Sequence, residues 1–210
     1  MDDSLKKELL DLCGRASKVR KREAEVLAGT IREALIDLNF LDVSFEISVK
    51  PDEDALSSSG YDLVEFLIST NPGEKIRPLT EVASGGELSR IMLALKSVLA
   101  DEDSVGTLIF DEIDTGISGR TAQKVSAKLK QLSGAHQVIC ITHLPQIAAA
   151  ADKHFEISKQ VEGSRTVTDV AALDEEASVK ELARMLGGAK ITDNVINNAR
   201  EMKMLAGSIE

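Results

Sequence analysis

Two carboxylates stand side by side in this chain, Asp111 and Glu112, at the end of the apolar run Thr107-Leu108-Ile109-Phe110. Such a run reads as a buried strand, and open α/β sheets place their ligands beyond the carboxyl ends of strands. Neighbouring side chains of a strand point to opposite sides, so the pair can divide the work. Asp111 can help to hold a Mg²⁺ ion while Glu112 orients or deprotonates an attacking water. An acidic pair at a strand end can also be a plain helix cap. One strand further on, Thr142-His143 follows the apolar segment Val138–Ile141. This puts His143 at the same sheet edge, within reach of a phosphate or of that water, although a lone histidine at a strand end is more often structural. His136 and His154 have no such placement and read as surface residues.

Upstream lies Ser84-Gly85-Gly86-Glu87. Ser84 and Glu87 fit a capping box at the start of a helix, which accounts for them structurally but not for the glycines. Each glycine in a helical turn costs about 1 kcal/mol relative to alanine. Bare backbone is expected where something approaches closely, such as an anion at the positive end of the helix dipole. No G-x-x-x-x-G-K-[ST] loop occurs anywhere in the 210 residues, so the groups that could act on a phosphate are present without the loop that would hold it.

The elements that must position these residues follow from periodicity. From Leu5 the pattern Leu9, Leu12, Ala16, Val19 has the rhythm of a coiled-coil seam, resuming after a charged break at Leu27, Ile31, Ala34 and Leu38. A helix of some 35 residues is expected, cut from a longer one, with its antiparallel mate on other sequence. Strict alternation from Leu41 to Val49 predicts a half-buried strand. Tyr61–Thr70 predicts a second, paired with it antiparallel, and Asn71-Pro72-Gly73 a turn. After Ser84 come a helix carrying Leu88, Ile91, Met92, Leu95, Val98 and Leu99 on one face, a strand at Val105–Phe110, a helix at Gly119–Leu132, a strand at Val138–Ile141 and a short helix opened by Pro145. Strand, helix, strand in this rhythm implies a parallel α/β sheet. Strands near 153–159 and 165–172 and helices near 175–186 and 192–205 complete the chain, the helices separated by Gly187-Gly188.

A hydrophobic content of 43% allows a real core, and a net charge of −10 excludes a general polyanion binder. The densest basic run, Lys18, Arg20, Lys21 and Arg22, could make a local nucleic-acid contact or be a solvated helix face. Two distant cysteines, Cys13 and Cys140, exclude a disulfide framework or zinc site and suit a reducing cytoplasm. No apolar run of about 18 residues or signal pattern points to a membrane.

In order and spacing, Ser84–Glu87, Asp111-Glu112, Asp114-Thr115-Gly116 and Thr142-His143 resemble the signature motif, Walker B, D-loop and H-loop of an ABC-type ATPase head. The fuller text, Asn71-Pro72-Gly73-Glu74, Ala83–Arg90, Phe110–Gly119 and Thr142–Gln146, resembles the RecN family of bacterial DNA-repair relatives of the structural-maintenance-of-chromosomes (SMC) proteins. The resemblance covers nearly the whole chain. It implies the C-terminal lobe of an ABC/SMC-type ATPase head (39–210), P-loop NTPase-like, with a coiled-coil stub (1–38).

It further implies a split head. An N-terminal Walker A lobe of the same protein, absent here together with its lysine and Q-loop, would hold ATP, and two heads would dimerise around it. Ser84, Gly85, Gly86 and Glu87 would meet the nucleotide of the opposing head, Asp111 would support Mg²⁺, and Glu112 would position water. Asp114, Thr115 and Gly116 would line the dimer interface, and His143 would sense the γ-phosphate. DNA would be engaged through the whole protein, in the cytoplasm at the nucleoid. The alternative expectation is a non-catalytic module that pairs through its coiled coil. A transporter ATPase is disfavoured by Glu87 and Ile113, where transporters commonly carry Gln and Pro.

Overall fold

The computed structural model describes residues 3–82, 84–100, 104–162, 165–187 and 190–207. Ala83 of the signature text and Gly188 lie outside them. The chain divides into two compact units, Met1–Ser84 with Ala94–Val98 and Gly85–Leu93 with Leu99–Glu210.

The first unit is built on α1, Asp3–Asp37, of the expected 35 residues. Its Cys13, Ser17, Ala24, Ile31, Ala34 and Leu35 are buried, and it packs on β1, Ser44–Pro51. Full burial of Ile31, Leu35 and Leu38 contributes about 1.5–3 kcal/mol per side chain. The expected seam divides here. Its later members Ile31, Ala34 and Leu38 are covered by their own unit, whereas Leu5, Leu12 and Val19, continued by Val26 at the same seven-residue spacing, stay exposed. β1 pairs antiparallel with β2, Asp62–Ser69, as expected, in the register Ser44 to Ser69, and β2 pairs with the two-residue β3, Arg77–Pro78.

β1 starts later than the alternation suggested. Asn39 takes a left-handed φ of 72° and Leu41 is exposed, because the chain must turn after α1 before Val43 and Phe45 can enter the core. The link from α1 to β2 is polar. Arg20 donates to the Asp62 carboxylate at 2.8 Å and to the carbonyl of Ser59. Of the basic run, Arg20 is therefore engaged within the chain.

Helix α2, Gly85–Val98, gives its first nine residues to the second unit. There β4, Thr107–Phe110, and β5, Gln137–Cys140, pair in parallel, with α3, Gly119–Leu132, as the crossover. Leu108 and Phe110 turn inward, and α3 buries Ala122, Val125, Leu129 and Leu132. The short α4, Pro145–Ala148, opens with its proline, which has no amide hydrogen to lose at a helix start. The hairpin β6–β7 (His154–Glu162, Arg165–Leu173) precedes α5, Glu175–Gly187, and α6, Asp193–Gly207. A core of Ala148, Ala149, Val179, Leu182, Ala183, Ala199 and Ala206 joins α4, α5 and α6. Among the described residues no helix is long and apolar enough to cross a membrane.

Candidate nucleotide site

The edge of interest lies beyond the carboxyl ends of β4 and β5. β4 ends at Phe110, and the exposed Asp111 accepts the amide of Glu112 on its Oδ1 at 2.8 Å. That bond turns the chain sharply, and Glu112 adopts φ 55°, an uncommon left-handed conformation for a residue with a side chain. The loop then closes on itself: the Thr115 amide donates to the Glu112 carbonyl at 3.0 Å and the Ile117 amide to the Asp114 carbonyl at 3.3 Å. Ile113 is fully buried beneath it, and Gly116, at φ 75°, suits the reversal that follows.

Asp114 is 3% exposed, and its Oδ2 collects three donors. These are the Thr142 hydroxyl at 2.6 Å, the His143 amide at 2.7 Å and His143 Nδ1 at 3.0 Å. The Thr142 hydroxyl in turn accepts the Leu144 amide at 3.0 Å. A carboxylate on Nδ1 selects the tautomer protonated there, so Nε2 of the 73%-exposed side chain of His143 is an outward acceptor. Asp114 thus has its carboxylate turned inward to the H-loop of its own chain. At the foot of the same edge, burial and then the charges of Asp114 and Asp111 push the Cys140 thiol up to about 12.

The glycines are explained by contact within the chain. A Cβ on Gly85 would collide with Glu112 Oε2. On Gly86 it would stand 2.8 Å from Thr115 Cβ and 3.0 Å from the Glu112 carbonyl oxygen. Bare backbone is needed at Gly86, whose neighbours are backbone and a Cβ, whereas at Gly85 the neighbour is the movable end of the Glu112 carboxylate. The next turn of α2 holds the same loop by side chains: Ser89 Oγ donates to the Asp111 carbonyl at 2.6 Å, and Arg90 Nη1 to those of Thr115 and Ile113 at 2.8 and 3.4 Å.

The second unit therefore brings together Gly85, Gly86, Asp111, Glu112, Asp114, Thr115, Gly116 and His143. Ser84, exposed, is the last residue of the first unit before α2, and Glu87 lies half-buried in the first helical turn. Among the described residues no three His, Cys, Asp or Glu side chains gather as a metal cage.

No family model matches the chain. It is 44% identical over 216 residues to the DNA repair protein RecN of Halalkalibacterium halodurans, a match covering 100% of the chain and 38% of that protein. To the RecN of Bacillus subtilis it is 40% identical over 222 residues, covering 99% and 38%, and to that of Vibrio cholerae 42% over 189 residues, covering 90% and 34%. The chain belongs to the RecN family. It spans well under half the length of the RecN relatives it matches.

Among solved structures, the Smc head domain with a coiled coil and joint from Pyrococcus yayanosii superposes with a TM-score of 0.56 at 26% identity, over 77% of this chain and 29% of that one. The Smc head domain with an extended coiled coil from Pyrococcus furiosus gives 0.56 at 24%, over 88% and 44%. The fold of this RecN-family chain is that of an α/β SMC-type ATPase head lobe.

Sequence reasoning missed Ser89 and Arg90. Their signal was their place three and four residues after Gly86, on the helical turn that follows the bare backbone. It also misplaced two histidines. His136 is buried, its Nδ1 2.7 Å from the Val105 carbonyl oxygen, because it must pack where α3 runs into β5. His154 is half-buried against Ser178 Oγ at 2.9 Å, and that hydroxyl also takes a hydrogen bond from Lys203 at 2.8 Å. Burial pushes His154 below the usual histidine range, with Glu181 opposing and Lys203 adding.

Proposed function

We propose that this chain supplies the signature turn, Walker-B-type acids, D-loop and H-loop to a composite ATP site, completed by an N-terminal Walker A lobe and by dimerisation of heads, in a protein that works on DNA in repair. The observation that carries the reading is the triple attachment of Asp114 to Thr142 and His143. It ties the loop that follows the Asp111-Glu112 pair to the strand-end histidine, which is the convergence that a phosphoryl-transfer edge needs. The RecN names of the relatives support the link to DNA repair. The cytoplasm and nucleoid are the compartment we assign on the same ground.

In this reading Ser84, Gly85, Gly86 and Glu87 meet the γ-phosphate held by the opposing head, at the positive end of α2. Glu112 accepts a hydrogen bond from the attacking water and aligns it. His143 senses the phosphate through its water, which donates to Nε2, with Asp114 fixing the ring. Asp114 stays within its lobe while Thr115 and Gly116, both exposed, face the partner head. Mg²⁺, held in part by Asp111, supplies charge neutralisation of the phosphates. Residues 1–38 act as the stub of a coiled coil and 39–210 as the head lobe.

The test is ATP hydrolysis by this chain mixed with a separately expressed N-terminal Walker A lobe. Activity that is lost in Glu112→Gln supports the reading. A stable complex that hydrolyses nothing contradicts it. The second reading, a module that pairs without catalysis, draws on the exposed stripe Leu5, Leu12, Val19 and Val26, whose heptad spacing suits a partner helix. It predicts that stable, inactive complex.

A further inference from the structure

We propose that Ser89 and Arg90 are positioning residues, a clamp that fastens the loop from Asp111 to Thr115 to helix α2 and so sets the geometry of Glu112. The inference deepens the reading above and rests on it for its catalytic meaning, though not for its structural one.

The loop divides its carbonyls between two sets of donors. Those of Glu112 and Asp114 take the loop's own amides, Thr115 and Ile117. Those of Asp111, Ile113 and Thr115 take side chains of α2, the first from Ser89 and the other two from one Arg90 nitrogen. Every carbonyl from 111 to 115 is thereby engaged, alternately from within the loop and from the helix. A left-handed residue with a side chain persists only where its surroundings over-determine it. Glu112 is such a residue, and it lies between two of the clamped carbonyls.

Arg90 is suited to the task. It is 8% exposed, and although burial pushes its ionisation down, with Glu87 opposing, a guanidinium does not give up its proton in a protein. Its charge faces the carbonyl dipoles of Ile113 and Thr115, with the Glu87 carboxylate nearby. Lysine, a point charge on a flexible stem, holds its terminal nitrogen at the two carbonyls less firmly than the planar, pre-organised guanidinium.

The clamp has a direction. Gly85 and Gly86 begin α2, and Ser89 and Arg90 belong to its next turn, so a displacement of the signature turn is passed through the same rigid helix to the loop. A phosphate arriving at Gly85 would also meet the carboxylate of Glu112 that now rests there. Signature occupancy and Glu112 placement are then two readings of one helix position.

Hydrogen exchange of the chain by itself tests this, read at the Thr115 and Ile117 amides, with the β4 amides as the control. Arg90→Lys and Ser89→Ala are expected to speed exchange at Thr115 and Ile117 by about tenfold while β4 is unchanged, and Ser89→Thr, which keeps the hydroxyl, to restore it. In the complemented mixture the same variants should lower kcat about tenfold and leave the KM for ATP unchanged, since both side chains are engaged with loop carbonyls rather than assigned to the nucleotide. Unchanged exchange in Ser89→Ala and Arg90→Lys overturns the clamp. If Arg90→Lys does not fold, Ser89→Ala alone decides. A mixture without ATPase in the unsubstituted chain refutes the proposed function while the exchange result still judges the clamp.

Discussion

Asp114 and His143 are joined twice through one oxygen: Oδ2 of the buried aspartate accepts the His143 amide at 2.7 Å and faces its Nδ1 at 3.0 Å. The first contact fixes where the backbone of the H-loop lies, and the second fixes how the ring is turned.

Asp114→Asn keeps the shape and removes the charge. Charge-assisted hydrogen bonds are roughly twice as strong as neutral ones, so the grip on Thr142 and His143 weakens. Nitrogen-15 spectra of the neutral His143 ring should show a single tautomer protonated at Nδ1 in the unsubstituted chain and a mixture in the variant. An unchanged tautomer would show that Asp114 does not orient the ring.

Gly86→Ala should destabilise the chain by about 1–3 kcal/mol, because the new methyl meets Thr115 Cβ and the Glu112 backbone, neither of which can swing aside. Gly85→Ala should cost less, since what it meets is the end of a flexible carboxylate, and the cost should largely vanish in a Glu112→Ala background. Urea midpoints of the four variants check the order.

The Cys140 thiol, held at about 12, should be alkylated at pH 8 on the order of a hundredfold more slowly than in the unfolded chain, where the ordinary value of about 8.5 applies and the thiolate, though commoner, is intrinsically less nucleophilic. Asp114→Asn removes one of the charges responsible and should speed the reaction. Peptide mass spectrometry after timed iodoacetamide exposure reads both.

In the first unit, burial pushes the Asp62 carboxyl up, but the hydrogen bond and charge of Arg20, with Ser17 and Lys21 beside it, outweigh this and hold it below the usual range. A carboxyl with a lowered folded-state pKa stabilises fully above its unfolded value, about 3.9, and loses that contribution as pH falls through the folded value. Unfolding free energy should therefore drop below about pH 4 more steeply in the unsubstituted chain than in Asp62→Asn. Arg20 is part-exposed, so the difference should be modest and shrink with salt.

Much of this was legible in the residues. The 35-residue helix, the bounds Gly119–Leu132 and the parallel pairing of β4 with β5 follow from hydrophobic period and from Pro and Gly punctuation, which are local signals. The start of β1 was not, because Leu41 continues the alternation in sequence while the exit from α1 forces a turn there. The division of the α1 seam was hidden for a similar reason: two apolar sets on adjacent helix faces look like one stripe until a sheet covers one of them. In the site, the sequence marked the residues with chemistry but not their mutual grip. That Gly86 is bare for the Glu112–Thr115 loop, that Arg90 holds the loop, and that Asp114 turns inward are all consequences of contacts over 20 or more positions, which spacing does not encode.

Calorimetry of ATP with Mg²⁺, first with this chain alone and then with the chain mixed with an N-terminal Walker A lobe, tests the split site most directly. A split site gives no measurable binding alone and tight binding in the mixture. Tight binding by the chain alone would contradict it, since the phosphates would then be held by residues other than those assigned here.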